Sequence, residues 1–287
     1  MVDLHIQHRT IYRYRYPVTL GPHRLMLRPR ENLDVRLVTS NITLTPGATL
    51  SWANDVFGNA VATATFSQPS DTLVIESVAQ VVLSAAAYPV FPIAASAISY
   101  PFRYSDDEWG DLGLLTVQQY PDDGGLRAWA EGFIARNPTD TLSLLQDLSA
   151  GVAQSVTYQV REDEGTQSPS QTLSIAQGSC RDLATVFVEA VRSLGFGARI
   201  VSGYLHDPTQ ILVGSANAGS THAWGEVYVP GAGWITFDPT NGSMGGANLI
   251  PVAVARDIRQ AMPVAGSFLG ATNAFQGMSV AVSVTAR

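Results

Sequence analysis

Hydrophobic and polar residues alternate with a period of two through much of the first hundred positions, as they do in β-strands. The clearest alternation places Thr10, Tyr12, Tyr14 and Tyr16 on one face of a strand and Arg9, Ile11, Arg13 and Arg15 on the other. Turn residues separate the later segments, notably Pro46-Gly47 and the run 55–59 (DVFGN). Short strands with turns at this spacing predict an antiparallel β-sandwich over residues 1–100.

From about residue 106 the hydrophobic spacing becomes that of helices. Helical spacing covers residues 126–134, 142–152 and, most strongly, 180–194. Strands are predicted to follow at residues 198–204, 222–229 and 234–238. Helices followed by a sheet indicate an α+β domain, here residues 101–287 with a C-terminal strand segment.

One apolar segment, residues 78–98, is long enough to be considered as a membrane span. Pro89 and Pro92 interrupt it, and its first residues continue an alternating strand that begins at Leu73. Proline is poorly tolerated inside a helix or a central strand. We therefore predict no membrane association. The segment should be a buried strand that leads into a connector, from about Ala87 to Arg103, between two separately cored units.

The composition is that of a globular protein, because 46% of the 287 residues are hydrophobic and 14% are charged. A net charge of −7 and a pI near 5.1 disfavour nucleic acid and anionic membranes as partners. The first residues, MVDLHIQHRT, lack the basic and apolar stretches of a signal peptide. Together with the single cysteine, this favours the reducing cytoplasm as the location.

The single cysteine, Cys180, lies at the start of the strongest helical segment. Ser179 is a suitable N-cap, and Asp182 occupies the position of its capping-box partner, with Asp in place of the usual Glu. Free N–H groups and the helix dipole stabilise an anion in this first turn. They favour a reactive thiolate and leave the Cys180 N–H as an oxyanion donor. On these grounds a nucleophile and a packing cysteine both remain open.

A nucleophilic thiolate needs a base, and the base needs a residue that orients it. Segment 222–238 offers both, in His222 and Asp238, on two strands joined by the loop Pro230-Gly-Ala-Gly233. If all the aliphatic residues of these strands face the core, both side chains fall on the opposite face. That pairing requires a one-residue bulge near the loop and places Asp238 opposite Trp224, diagonal to His222.

Zinc binding is the alternative use of these side chains. The available ligands would be Cys180, His222, Asp238 and His206, which lack the close spacing of zinc motifs. No metal and no other cofactor is therefore expected.

The same residues resemble the motifs of the transglutaminase-like superfamily, the papain-related enzymes with Cys, His and Asp in that chain order. The similar segments are residues 178–184 (GSCRDLA) for the nucleophile, 221–224 (THAW) for the histidine and 237–241 (FDPTN) for the aspartate. Residues 8–14, 22–23, 27–30 and 55–59 resemble the β-rich N-terminal region of bacterial members. The resemblance implies a β-sandwich followed by a papain-like, transglutaminase-core domain.

By position, the resemblance implies Cys180 as nucleophile, His222 as acid/base and Asp238 as the orienting residue. The candidates for oxyanion or substrate contacts are Gln177, Tyr158 and Trp224. The implied activity is thiol-dependent acyl transfer on peptide or side-chain amides, most simply by a cysteine protease or amidase. A protein-glutamine transglutaminase, with an amine in place of water, and a catalytically silent peptide-binding module are the alternatives. Each of these would take a peptide or protein partner.

Overall fold

The computed structural model describes residues 1–161, 165–207, 209, 212, 213 and 219–286. Its first element is the long alternating strand that the sequence predicts. Within the first hundred residues the strands are β1 (Val2–Leu20), β2 (His23–Leu25), β3 (Val35–Thr45), β4 (Ala48–Asn54), β5 (Ala60–Phe66), β6 (Ser70–Leu83) and β7 (Ser99–Tyr100).

Helices and further strands follow in the second part of the chain. The described α-helices are α1 (Asp106–Leu112), α2 (Gly125–Glu131), α3 (Thr141–Ser155), α4 (Pro169–Ile175) and α5 (Cys180–Ser193). The strands are β8 (Thr139–Asp140), β9 (Thr157–Tyr158), β10 (Gln177–Gly178), β11 (Ala198–His206), β12 (Gly219–Val229), β13 (Gly233–Asp238), β14 (Ser243–Met244), β15 (Leu249–Ala255), β16 (Val264–Ala265), β17 (Phe268–Leu269) and β18 (Phe275–Ala286). Short 3-10 helices lie at Ala95–Ala97, Gly113–Thr116 and Ile258–Ala261.

Two antiparallel sheets form the predicted β-sandwich. One has the order β17-β1-β6-β3, with β18 also paired to β1, and the other has the order β16-β2-β5-β4. Alternate residues of the two sheets meet in one core, which includes Leu20, Leu25, Ala62, Leu73 and Ile75. The sequence-based prediction of an antiparallel sandwich is confirmed.

The last strands of the chain complete these same sheets. Strand β18 pairs with β1 from Leu4↔Ala286 to Tyr14↔Phe275. Strand β17 pairs with the end of β1, and β16 pairs with β2. The predicted division at residue 100 groups these strands with the second part of the chain, whereas their hydrogen bonds join them to the first.

The second part is built on a five-stranded antiparallel sheet of order β14-β13-β12-β11-β15. Helix α5 packs against it and is buried on nearly all sides. Its buried face includes charged residues, and Glu189 and Arg192 pair with each other at 2.6 Å. Phe187 of α5 contacts Phe237 of β13, with ring centroids 5.3 Å apart. The predicted α+β architecture, helices followed by a sheet, is confirmed.

A third core joins the two parts of the chain. It contains Leu4, Ile6 and Val81 of the sandwich together with Tyr204 and Ile250 of the five-stranded sheet. The prediction of two separately cored units is therefore incomplete. Here an apolar face of the sandwich packs against an apolar face of the five-stranded sheet, and the contact removes both faces from water.

Strand β6 ends at Leu83, within the apolar segment 78–98. The chain then continues without regular structure to the 3-10 helix at Ala95–Ala97. This agrees with the predicted strand and proline-containing connector. Within the described residues, no helix combines the length and the apolar character needed to cross a membrane.

Candidate active site

Cys180 begins helix α5, immediately after the short strand β10. The predicted capping box between Ser179 and Asp182 is formed. One carboxylate oxygen of Asp182, Oδ2, accepts hydrogen bonds from the Ser179 N–H at 2.8 Å and from the Ser179 hydroxyl at 2.6 Å. As the first helical residue, Cys180 has a backbone N–H with no partner within the helix. Its side chain is partly exposed.

Asp182 also ties the start of α5 to the preceding loop. Its carboxylate is fully buried and accepts hydrogen bonds from the Gln167 N–H at 2.8 Å and from Arg161 Nε at 3.1 Å. The Arg161 side chain is 18% exposed, so this ion pair is largely removed from water. A buried carboxylate with this many donors holds the turn before Cys180 in one position.

Tyr158 is brought beside Cys180 by a short parallel pairing of β9 with β10, in which Tyr158 lies opposite Gly178. The Gln159 N–H donates to the Gly178 carbonyl at 2.8 Å and extends this pairing. The pKa of Tyr158 is raised, first by burial and then by the charge of Cys180. Gln177, the other candidate near the nucleophile, is exposed on β10.

His222 and Asp238 meet on neighbouring strands. His222 Nε2 donates to Asp238 Oδ2 at 2.9 Å, and both side chains are almost completely buried. The register pairs Val229 with Gly233 and Gly225 with Phe237, the pairing that the apolar pattern requires. The strands pair without the predicted bulge, because Gly233 already belongs to β13 and the loop is one residue shorter than predicted. Gly231 and Gly233 have positive φ values of 83° and 73°.

The second ring nitrogen of His222, Nδ1, is the one that Asp238 leaves free. It is buried and makes no hydrogen bond of ordinary geometry. The pKa of His222 nevertheless reflects a hydrogen bond and a charge interaction with Cys180. The structure thus brings together the three residues that the sequence predicts at the site.

Charge interactions keep His222 protonated. Burial alone would lower its pKa, but the Asp238 carboxylate and then Cys180 raise it to about 10. Burial opposes ionisation of Asp238, yet His222 and the hydrogen bonds from Asn241 and Thr240 hold its pKa below the ordinary value. The pair is therefore an imidazolium and a carboxylate at neutral pH.

Asn241 is a further residue of the site. In the sequence it stands out only as the last residue of the motif at 237–241. Its Nδ2 donates to Asp238 Oδ2 at 2.8 Å, and its Oδ1 accepts from the Val213 N–H at 2.7 Å. The Thr240 N–H donates to Asp238 Oδ1 at 2.9 Å. An Asp followed by proline, threonine and asparagine predicts a local turn of this kind, but the spacing does not reveal the contact with Val213.

Trp224 packs behind His222. The rings are 6.2 Å apart and inclined by 30°, and Trp224 is only 1% exposed. It lies in a small core with Val201, Leu205 and Leu249. Of the three candidates for oxyanion or substrate contacts, Trp224 therefore supports the imidazole from within the protein, whereas Tyr158 and Gln177 lie beside the nucleophile.

Close packing behind the imidazole predicts that Gly203→Ala will damage the site. Gly203 lies opposite His222 in the sheet, and an added Cβ would sit 2.7 Å from Trp224 and overlap the Ile250 carbonyl. We expect unfolding to become easier by about 2 kcal/mol, measured by urea denaturation. Gly110→Ala, which meets no atom within 4 Å, is the matched control. It lies in helix α1 and should not destabilise the protein, because alanine is favoured over glycine in a helix by up to about 1 kcal/mol. Equal behaviour of the two variants would contradict this reading.

The raised pKa of His222 predicts a pH dependence of stability. Its folded-state pKa of about 10 lies above the ordinary value of 6.5. The stabilisation is therefore complete below pH 6.5 and is lost as the pH rises through 10. We expect the free energy of unfolding to fall between pH 7 and 9.5 more steeply in the wild type than in His222→Gln. Parallel slopes for the two proteins would show that the imidazolium is absent.

The described residues contain no group of three or more His, Cys, Asp and Glu side chains placed to hold a metal ion. His206, the remaining residue of the zinc alternative, is buried at the end of β11.

Comparisons with known proteins agree with this architecture. Residues 4–82 match the bacterial transglutaminase-like N-terminal region, and residues 127–239 match the transglutaminase-like superfamily. A candidate cysteine protease from Cytophaga hutchinsonii has a similar crystal structure, with a TM-score of 0.76 over 99% of this chain and 90% of that one, at 18% identity. Protein Mb2599c of Mycobacterium bovis is 27% identical over 271 residues, 91% of this chain and 86% of its own. Protein ML0607 of Mycobacterium leprae is 26% identical over 281 residues, 94% of each chain.

A helix that begins with a cysteine, packed on an antiparallel sheet that carries a histidine and an aspartate, defines a papain-like fold. The two matched regions lie in the order found here, a β-rich region and then the core. The chain therefore combines a segment similar to the transglutaminase-like core with one similar to the N-terminal region of bacterial members.

Proposed function

We propose that this protein is a thiol acyl-transfer enzyme that hydrolyses peptide or side-chain amides, as a cysteine protease or amidase. The observation that carries the proposal is the buried His222, which is hydrogen-bonded through Nε2 to Asp238 and lies close enough to Cys180 for that residue to raise its pKa. This arrangement supplies a nucleophile, an acid/base and an orienting carboxylate in one line. The match to the transglutaminase-like superfamily and the fold of the Cytophaga hutchinsonii protein support it.

In the proposed reaction, the Cys180 thiolate attacks an amide carbonyl carbon and forms a C–S bond. The carbonyl oxygen gains negative charge, which the free Cys180 N–H stabilises, with Tyr158 or Gln177 as the second donor. Imidazolium His222 then donates its proton to the leaving amine, the C–N bond breaks, and a thioester remains. Water, deprotonated by neutral His222, attacks the thioester and releases the acid together with the thiolate.

Hydrolysis is proposed in preference to amine transfer because a transferase must exclude water from the thioester. Cys180 is partly exposed, so water can reach it. An amine such as a lysine analogue, added with an amide substrate, distinguishes the two reactions by the product formed. The partner is proposed to be a peptide or protein substrate, and the reducing cytoplasm remains the proposed location for a reactive single thiol.

The thiol itself gives the first test. Cys180 is the only cysteine in the chain, so one alkylation event reports on one site. Iodoacetamide should modify it below pH 7 faster than it modifies free cysteine, because the imidazolium of His222 stabilises the thiolate. His222→Ala should lower that rate to the level of an ordinary thiol. Reaction only after denaturation would overturn the proposal.

Turnover requires a second measurement. A library of peptides and primary amides is incubated with the wild type and with Cys180→Ala, and acid and amine products are identified by mass spectrometry. We expect products from the wild type alone. A reactive thiol that yields no product, together with retention of peptides by both proteins, would instead favour the catalytically silent binding module.

A further inference from the structure

A cleft of about 320 Å³ lies at the far end of helix α5 from Cys180, beside Leu194 and Gly195. The helix has 14 residues, which at 1.5 Å per residue separates the cleft from the nucleophile by roughly 20 Å. The cleft therefore belongs neither to the triad nor to the residues proposed to contact the scissile amide.

Aromatic residues make up half of those that line the cleft. They are Tyr100, Phe102, Tyr104, Trp109 and Phe196. Neighbouring rings touch: Tyr100 stacks on Phe196 at 5.2 Å between centroids, Phe102 meets Tyr104 at 5.1 Å, and Tyr104 meets Trp109 at 6.4 Å. Trp109 is 54% exposed, so the wall opens to solvent on that side.

The tyrosine hydroxyls in this wall already have partners. Tyr100 donates to the Leu194 carbonyl at 3.0 Å, and Tyr104 donates to the Tyr228 carbonyl at 2.8 Å. What these side chains offer a ligand is ring surface. The face of an aromatic ring carries partial negative charge and attracts cations.

Negative charges outnumber positive ones around the cleft. Asp106 lies in its lining, and the carbonyl groups at the end of α5 add the negative end of the helix dipole. Arg103 also lines the cleft. It is exposed, and in residues 103–111 (RYSDDEWGD) it is outnumbered by four acidic residues. The surroundings thus favour a ligand with positive charge and apolar surface.

We propose that this cleft binds an alkylated ammonium group, such as the trimethylammonium head of choline or the side chain of trimethyllysine. Such a cation has a diffuse charge and an apolar surface, so it loses little hydration when it enters an aromatic site. The aromatic wall contacts its methyl groups, Asp106 balances its charge, and Trp109 closes the open side.

The experiment is a ligand-observed NMR titration of the full chain with choline and with its uncharged carbon isostere, 3,3-dimethylbutan-1-ol. We expect saturable choline binding, and binding of the isostere that is at least about fivefold weaker, because only the charge differs. A short peptide with trimethyllysine, compared with the same peptide carrying unmodified lysine, shows whether a free molecule or a protein side chain is the better source of the cation.

Variants localise the binding. Trp109→Leu should weaken choline binding about threefold or more, and Asp106→Asn should weaken it to a similar extent. The matched controls are Trp52→Leu, an exposed tryptophan in strand β4, and Asp111→Asn, an exposed carboxylate on α1 outside the cleft lining. Both should bind choline as the wild type does.

Cys180→Ala should also bind choline normally, so the outcome is independent of the proposed amide hydrolysis. Three results would overturn the proposal: no saturable binding, equal affinity for choline and its isostere, or binding unaffected by Trp109→Leu. Equal affinities would show an apolar cleft with no preference for a cation.

Discussion

Replacement of Cys180 by alanine is expected to lower the rate of amide hydrolysis by at least about 10⁴-fold, because no other group can form the thioester. Removal of the orienting carboxylate of Asp238 is expected to lower the rate of hydrolysis less. Asp238→Asn should retain roughly 50-fold more activity than Cys180→Ala, since the thiol and the imidazole both remain. The measurement is kcat/KM on one substrate identified in the library.

The control for this pair is stability. Cys180 is partly exposed, and its side chain is small, so Cys180→Ala should unfold at nearly the same urea concentration as the wild type. Asp238→Asn should unfold more easily, because it removes the buried ion pair with His222. If Asp238→Asn were as inactive as Cys180→Ala, the carboxylate would take part in the chemistry directly.

The second large effect is expected at Asp182, which holds the turn before the nucleophile. Asp182→Ala leaves the Ser179 and Gln167 N–H groups without their acceptor and removes the buried partner of Arg161. We expect a loss of about 3 kcal/mol in the free energy of unfolding. Urea denaturation followed by circular dichroism measures it.

Asp147 provides the comparison, as an exposed aspartate in helix α3 whose replacement by alanine should change stability by less than about 0.5 kcal/mol. Asp182→Asn keeps the size of the side chain and part of its hydrogen bonding, so it should be less destabilising than Asp182→Ala. If Asp182 positions the thiol, Cys180 should be alkylated more slowly in the Asp182→Asn variant than in the wild type. An unchanged alkylation rate would limit Asp182 to a structural role.

The positions of the triad residues could be read from the sequence because each depends on a short pattern. The capping box around Ser179 places Cys180 in the first turn of α5. The alternation of aliphatic residues in β12 and β13 decides the register, since a shift of one residue would turn the aliphatic side chains toward the wrong face. His222 and Asp238 meet for that reason.

The remaining parts of the site depend on contacts between distant segments. The bond from Val213 to Asn241 and the ion pair from Arg161 to Asp182 join loops whose paths no periodicity describes. The burial of Trp224 against Val201 and Leu249 likewise follows from the packing of three strands. By sequence alone, a tryptophan two positions after His222 is equally compatible with a place facing a substrate.

The fold shows the same division between local and distant information. The strands, the helices and their order follow from the hydrophobic spacing. The pairing of β18 with β1 does not, because its residues lie more than 260 positions apart and any uncharged alternating segment could serve as the partner. The shared core around Tyr204 was missed for the same reason.

The return of β18 to the side of β1 has a consequence for the order of events during synthesis. A ribosome releases β1 well before β18, so β1 has to wait for all the elements between them before its second neighbour exists. Until then one edge of β1 stays open, with buried positions such as Leu4 and Ile6 lacking part of their cover. Nascent chains of this protein should therefore depend on chaperones until β18 has emerged, even where the five-stranded sheet has already formed.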